Sequence, residues 1–318
     1  APASEAVEGF ARSYLAIRIW GAPATIMLYA VTGWLIALER TRAVLALQLL
    51  QNGLNVGLNL WFVLGLGHGV GGVATATLIA EWAGLGFGLW LCRAGFANLP
   101  AALARLLRPA PLRAMFQASR DIMGRSVLLQ LSFTSFVFLG ARFGDVTLAA
   151  NHVLLQFLEI TAYALDGLAF AAETLVGQAV GARALAEARR AGLISMQWGF
   201  AGAFALALIF ALAGPALIAL MTTAPEVRAE ALHYLPWLIA APVIGIASWI
   251  FDGIFIGALL TREMLRAMLL SVSLYAVTLL LLIPTLGNHG LWLALMLLNL
   301  TRAITLWRAL PALTARLA

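Results

Sequence analysis

The sequence predicts an all-α integral membrane protein with nine transmembrane helices. Three observations carry that reading. The 318 residues are 63% hydrophobic and only 11% charged, where a soluble domain carries roughly 25% charge, and the mean hydropathy is +0.95. The apolar residues collect into segments long enough to cross a bilayer, which takes about 20 residues. The basic residues, all 20 of them Arg, gather in alternate connections between those segments. Too few charges exist to cover so apolar a surface in water, which excludes a soluble enzyme, a disordered chain and a nucleic-acid binder. The net charge of +6 fits the positive-inside bias of membrane proteins. A single cysteine, Cys92, rules out an intramolecular disulfide and a thiolate metal cluster.

The nine spans fall at about 15–38, 43–66, 69–92, 122–141, 146–172, 192–221, 232–260, 264–286 and 290–310. Short alternating segments of the kind a membrane barrel needs are lacking, so the spans are helices, which satisfy their own backbone groups in lipid. The one long connection, 93–120, contains Pro100, Pro109 and Pro111 with Arg105, Arg108 and Arg113 among Leu and Ala. It reads as an amphipathic linker on the cytoplasmic membrane surface. The expected organisation is therefore three helices in 1–92, the linker in 93–120, and six helices in 121–318.

When alternate connections are assigned to opposite sides, one side receives fifteen Arg and the other only Arg12, Arg18, Arg142 and Arg228. The rich side is cytoplasmic by the positive-inside rule. This puts the C-terminus inside and the chain's first residue outside.

An internal repeat links the first block to the last. Tyr14-Leu15 recurs as Tyr234-Leu235, Gly33 as Gly253 and Thr41-Arg42 as Thr261-Arg262, each at an offset of 220. Pro23 and Pro242 match with a one-residue slip, and Gly67-His68-Gly69 resembles Asn288-His289-Gly290. Transporters are commonly built from such repeated halves. Under the repeat, the fourth to sixth spans lack a partner, so the reading expects about three helices upstream of Ala1. The whole would have twelve spans in two six-helix lobes.

Ionisable groups inside spans are costly and mark functional positions by default. Glu159, Asp166 and Glu173 lie seven apart in the fifth span and return to nearly one face. Asn151, Gln156 and Tyr163 accompany them. Asp252 precedes Gly253 as Asp166 precedes Gly167, and a small following residue permits close helix approach. Plain structural readings stand beside these: a wet helix end near Arg183 for Glu173, an interhelical hydrogen bond for Asp166, and an ion pair with Arg142 or Arg125 for Glu159. Glu81 stands alone beside Trp82, as a cleft group or an interior contact. The second span carries an amide stripe, Gln48, Asn52, Asn55 and Asn59, suited to interhelical hydrogen bonds or a hydrated cavity wall. His68 and His289 read as turn residues. No HExxH, GxSxG or Walker A pattern is present.

Several runs in this order resemble the DinF-like branch of the multidrug and toxic compound extrusion (MATE) transporters. They are Tyr14 to Pro23 (YLAIRIWGAP), Leu148 to Asn151 (LAAN), Leu165 to Gly181 (LDGLAFAAETLVGQAVG), Tyr234 to Trp237 (YLPW), Asp252 to Ala258 (DGIFIGA) and Asn288 to Trp292 (NHGLW). The resemblance implies helices 4 to 12 of a twelve-helix, two-lobed fold. It also implies export of small amphipathic organic cations in exchange for protons or sodium, with no cofactor. The family's acidic residue on its first helix has no position here. On this basis Asp166, Asp252, Glu173 and Glu159 are the coupling candidates, with sodium near Asp166 or Asp252 if sodium is the ion. Asn151, Gln156, Tyr163, Asn52, Asn55 and Glu81 are the substrate-cleft candidates. The expected setting is the bacterial inner membrane, with the bilayer as partner, no nucleic acid, and a monomer when full length. Two other readings stay open: a lipid-linked saccharide flippase, which needs a cationic cleft drawn from Arg18, Arg125 and Arg302, and a non-transporting membrane assembly protein.

Overall fold

The computed structural model describes residues 5–98 and 109–317, and every described element is helical. The chain forms two compact units, Ala1–Arg108 and Pro109–Ala318.

In the first unit, α1 (Glu5–Arg18) and α2 (Ala22–Ala37) form one rod joined by a 3-10 turn over Ile19–Gly21. Pro23 sits in the first turn of α2. It has no N–H to give the preceding turn, which is why the α-helical ladder is interrupted there. The rod is apolar enough to span from Glu8 to Ala37, so its span starts earlier than expected. Next come α3 (Thr41–Asn59), which widens into a π turn over Leu60–Gly65, and α4 (Gly69–Cys92). Helices α1, α2 and α3 all pack on α4, whose buried face is Gly72, Ala74, Ala76, Ala80, Gly84 and Gly88. Small residues let backbones approach where lipid gives no hydrophobic drive to associate.

The second unit contains α5 (Pro109–Gly140), α6 (Asp145–Gly181), α7 (Leu185–Met221), α8 (Pro225–Gly257), α9 (Thr261–Leu286), α10 (Asn288–Ala309) and the short α11 (Pro311–Leu317). Helix α8 is its axis, packing on α6, α7 and α10, while α9 joins α10 to α5. The interior is held by groups such as the fully buried Trp292, whose ring meets Phe136 edge-on at 5.0 Å.

Two expectations need correction. Residues 109–120, read as linker, form the first three turns of α5 and belong to the second unit. The rest of the expected linker, from 99 to 108, lies outside the described residues. Among the described residues, eight helices are long and apolar enough to cross a membrane, not nine. The ninth segment is helical from Thr41 to Gly65, but its stripe of amides keeps it below the hydropathy of the others.

The internal repeat is visible in backbone geometry. Helices end at Ala37 and Gly257, restart at Thr41 and Thr261, and turn through left-handed Glu39 (φ 55°) and Leu259 (φ 53°). Gly67 and Gly287 share positive φ at the same offset. A third turn of this kind passes through Arg183 (φ 56°). In all three, the left-handed residue and its successor bond back to the helix: Arg40 N–H reaches Leu35 O, Ala184 N–H reaches Ala179 O, and Leu260 N–H reaches Phe255 O, at 2.8–2.9 Å. This closes orphan carbonyls at the helix C-terminus.

Candidate functional site

The site is built where α6 and α8 touch backbone to backbone. A Cβ added at Gly253 would lie 2.2 Å from Ala169 O, and one at Gly257 would lie 2.2 Å from Glu173 O. Only glycine allows this approach, and it carries Asp252 into the interior, where it is 6% exposed. Gly167 has no such role, since a Cβ there meets nothing within 4 Å.

Two arginines converge on Asp252. Arg302 of α10 donates from Nη2 to Asp252 Oδ2 at 2.5 Å and from Nη1 to Asn299 Oδ1 at 3.1 Å. Arg302 is 2% exposed. Arg125 of α5 donates from its own Nη2 to the same Asp252 oxygen. Its side chain is 18% exposed, and its Nε is buried without a hydrogen-bond partner. Removing one member of a buried pair leaves an uncompensated charge, at a cost of about 3–5 kcal/mol.

Asp166 of α6 is half-buried, and among the described residues no cation is bound to it. It stands one turn before Ala169, whose carbonyl meets Gly253, the neighbour of Asp252. Glu173, two turns on, is also half-buried and unpaired among the described residues. The remaining polar groups of that helix divide by face. Gln156 and Glu159 are exposed, and Tyr163 is 73% exposed. His152, which the reading of the spans passed over, is exposed too, so positions 152, 156, 159, 163, 166 and 173 form one polar row down α6. Glu159 makes no ion pair with Arg125, which is committed to Asp252.

Three cleft candidates have structural partners. Asn151 is buried and exchanges two hydrogen bonds with Asn288, at 2.7 and 3.0 Å, while Trp292 Nε1 donates to Asn151 Oδ1 at 2.9 Å. This is a pin between α6 and α10, not a cavity wall. Glu81 is buried and takes a two-pronged pair from Arg18, at 2.7 and 2.8 Å. A Cβ on Gly21 would lie 2.2 Å from the Glu81 carboxylate, so that glycine makes the room. Asn55 Nδ2 donates to Thr77 Oγ1 at 3.0 Å, tying α3 to α4. Asn52 stays exposed, with one long bond to Gln48 at 3.4 Å. His289, expected in a turn, lies in the first turn of α10, where it accepts from Trp237 Nε1 and faces His233, both at 3.0 Å.

Sequence reasoning missed that Arg125, Arg302 and Asn299 surround Asp252. A signal was present: charges inside an apolar bundle must pair. Arg302 in the last span and Arg18 at the end of α1 each need a carboxylate, and few are available.

The MatE family model matches residues 122–281. DNA damage-inducible protein F of Escherichia coli (strain K12) is 40% identical over 96% of this chain and 67% of its own length. The chain belongs to the MatE family. Protein DETOXIFICATION 44, chloroplastic, of Arabidopsis thaliana is 24% identical, and the MatE chain described here spans 57% of that relative's length. Solved structures share the fold. MATE in the bent conformation superposes with a TM-score of 0.85 at 19% identity, over 99% of this chain and 71% of that one. Vibrio cholerae MATE transporter VcmN in the bent form gives 0.82 at 21%, with the same coverage. This MatE chain is thus a multi-pass membrane protein of a transporter family.

Proposed function

We propose that this MatE protein exports small amphipathic organic cations across the bacterial cytoplasmic membrane in exchange for protons, and that Asp166 carries the exchange. One observation supports this most: Asp166 is a half-buried carboxylate without a bound cation among the described residues, whereas Asp252 and Glu81 are each held by arginine. A carboxylate left free in low dielectric binds either a proton or a cation, because desolvation penalises its bare charge. The two forms of the site then exclude one another, which is the requirement for exchange.

Asp252 serves this reading as an anchor. A sodium ion there would face two guanidinium groups, so the charge arrangement favours protons as the coupling ion. The same pairing weighs against a saccharide-lipid substrate. Of the three arginines that could line a cationic cleft, two are bound to Asp252 and the third to Glu81. Glu159, Gln156 and Tyr163, exposed along α6, extend the row toward the other side of the membrane as the substrate path. The arginine asymmetry orients the C-terminus to the cytoplasm.

The test is efflux of a fluorescent organic cation from vesicles carrying the protein under an imposed pH gradient. Asp166→Asn keeps the size of the side chain and loses its charge change. Gradient-driven efflux is expected to fall to background while the amount of folded protein holds. Efflux that persists in Asp166→Asn removes Asp166 from the mechanism.

A further inference from the structure

We propose that Arg125 is a tethered cation shared between Asp252 and Asp166, so that substrate must displace it from the coupling carboxylate. This inference rests on the assignment of Asp166 above and deepens it.

The two arginines on Asp252 are not equivalent. Arg302 is fully buried, held by Asp252 and by Asn299, and emerges from the interior face of α10. Arg125 is partly exposed, shares an oxygen that Arg302 already occupies, and has a buried Nε that bonds to nothing. Two like charges on one carboxylate oxygen repel, and one of them is enough to neutralise it. Asp166 meanwhile has no cation of its own among the described residues, although it stands one turn before Ala169, whose carbonyl meets Gly253 beside the Asp252 that Arg125 bonds. The charged groups at Arg125 are Asp252 from α8, which it bonds, and Arg302 from α10, which bonds the same oxygen, with Asp166 of α6 one turn before the contact that seats Asp252. Asp121 is one turn away on α5, taken up by Arg120 and Thr261.

The charge arithmetic sets where Arg125 goes. With Asp166 ionised and empty, two cations face two anions, and the one-to-one arrangement is Arg302 with Asp252 and Arg125 with Asp166. When Asp166 takes a proton or a cationic substrate, it no longer attracts Arg125, which returns to Asp252. The arrangement described here, with Arg125 on Asp252, is the form in which Asp166 is neutralised. Arg125 therefore competes with every cation that seeks Asp166.

The experiment is equilibrium binding of tetraphenylphosphonium to the purified protein in detergent at pH 8. Arg125→Gln removes the competitor and leaves the Arg302–Asp252 pair intact, so binding should tighten by about tenfold or more. Arg125→Lys keeps the charge but cannot form the planar fork and is a weaker competitor, so it should fall between the two. The expected order of affinity is parent, then Lys, then Gln. If Arg125→Gln does not fold, the Lys variant decides alone, with tightening expected. Unchanged or weaker binding in a variant whose thermal unfolding matches the parent overturns the proposal. A purely structural Arg125 gives that result. Asp166→Asn in the same assay separates the two ideas. If it binds tetraphenylphosphonium as the parent does, the assignment of Asp166 fails. If it loses binding while Arg125→Gln changes nothing, only the present inference fails.

Discussion

Two glycines that follow an aspartate in sequence should respond oppositely to alanine. At Gly253 the added Cβ would lie 2.2 Å from Ala169 O, while ordinary carbon–oxygen contacts lie about 1 Å farther out. Neither atom is the end of a flexible side chain, so α8 must move off α6 by about that amount. Overpacking of this kind costs about 1–3 kcal/mol, and a shift of about 1 Å would carry the Arg302–Asp252 contact from 2.5 Å to the limit of a hydrogen bond. At Gly167 nothing stands within 4 Å, and alanine in a helix interior is favoured over glycine by about 0.5–1 kcal/mol. The assay is thermal unfolding in detergent, followed by exposure of Cys92 to a thiol dye or by circular dichroism. Gly253→Ala should lower the midpoint by about 2–6 °C, and Gly167→Ala should leave it unchanged or raise it slightly. If the two variants shift alike, or if Gly253→Ala is silent, then α6 and α8 do not touch as described and the account of how Asp252 is positioned is wrong.

Other outcomes follow from the same geometry. Glu81→Gln strands Arg18 inside the first unit and should cost about 3–5 kcal/mol, seen as lower yield and a lower unfolding midpoint. Adding Arg18→Met should restore much of the loss, and a double variant as weak as the single would remove the pair as the cause. In a background with Cys92→Ser, a cysteine at Ala182 should label only from the cytoplasmic side and one at Thr223 only from the opposite side. Labelling in the reverse sense would invert the orientation drawn from the arginines.

Hydropathy and arginine placement made the helical class and the membrane setting legible, because both follow from the cost of putting charge in lipid. The repeat was legible in Thr41-Arg42 and Thr261-Arg262 because those residues restart helices after turns that the backbone also repeats. What the turns look like was hidden. Glu39, Arg183 and Leu259 adopt a left-handed conformation that glycine would signal and these residues do not. Helix ends were misjudged where charge masks a continuing helix, as at Arg113 and Arg120 in α5. The site was half legible. Acidic residues in apolar spans stood out as singular, but pairing depends on which helices become neighbours, and α5, α8 and α10 are distant in sequence. So Asp252, a coupling candidate by sequence, holds two arginines, and Asn151, a cleft candidate by sequence, is saturated by Asn288 and Trp292. Gly253 and Gly167 read alike because spacing alone does not say which face meets a backbone.

The spacing of the buried ion pairs along the chain has a consequence for biosynthesis. A membrane protein enters the bilayer from its N-terminus as it is made, at about 5–20 residues per second. Arg18 precedes Glu81 by 63 residues, so for about 3–13 s it waits for its carboxylate. An unpaired arginine in a span costs the insertion machinery about 2.5–3.5 kcal/mol. Asp252 has no such wait. Arg125 was made 127 residues earlier, while Arg302 follows 50 residues later. A carboxylate leaving the ribosome thus meets a cation already in the membrane and acquires its permanent one afterwards. The unpaired wait falls on an arginine in both units: Arg18 waits 63 residues for Glu81, and Arg125 waits 127 residues for Asp252.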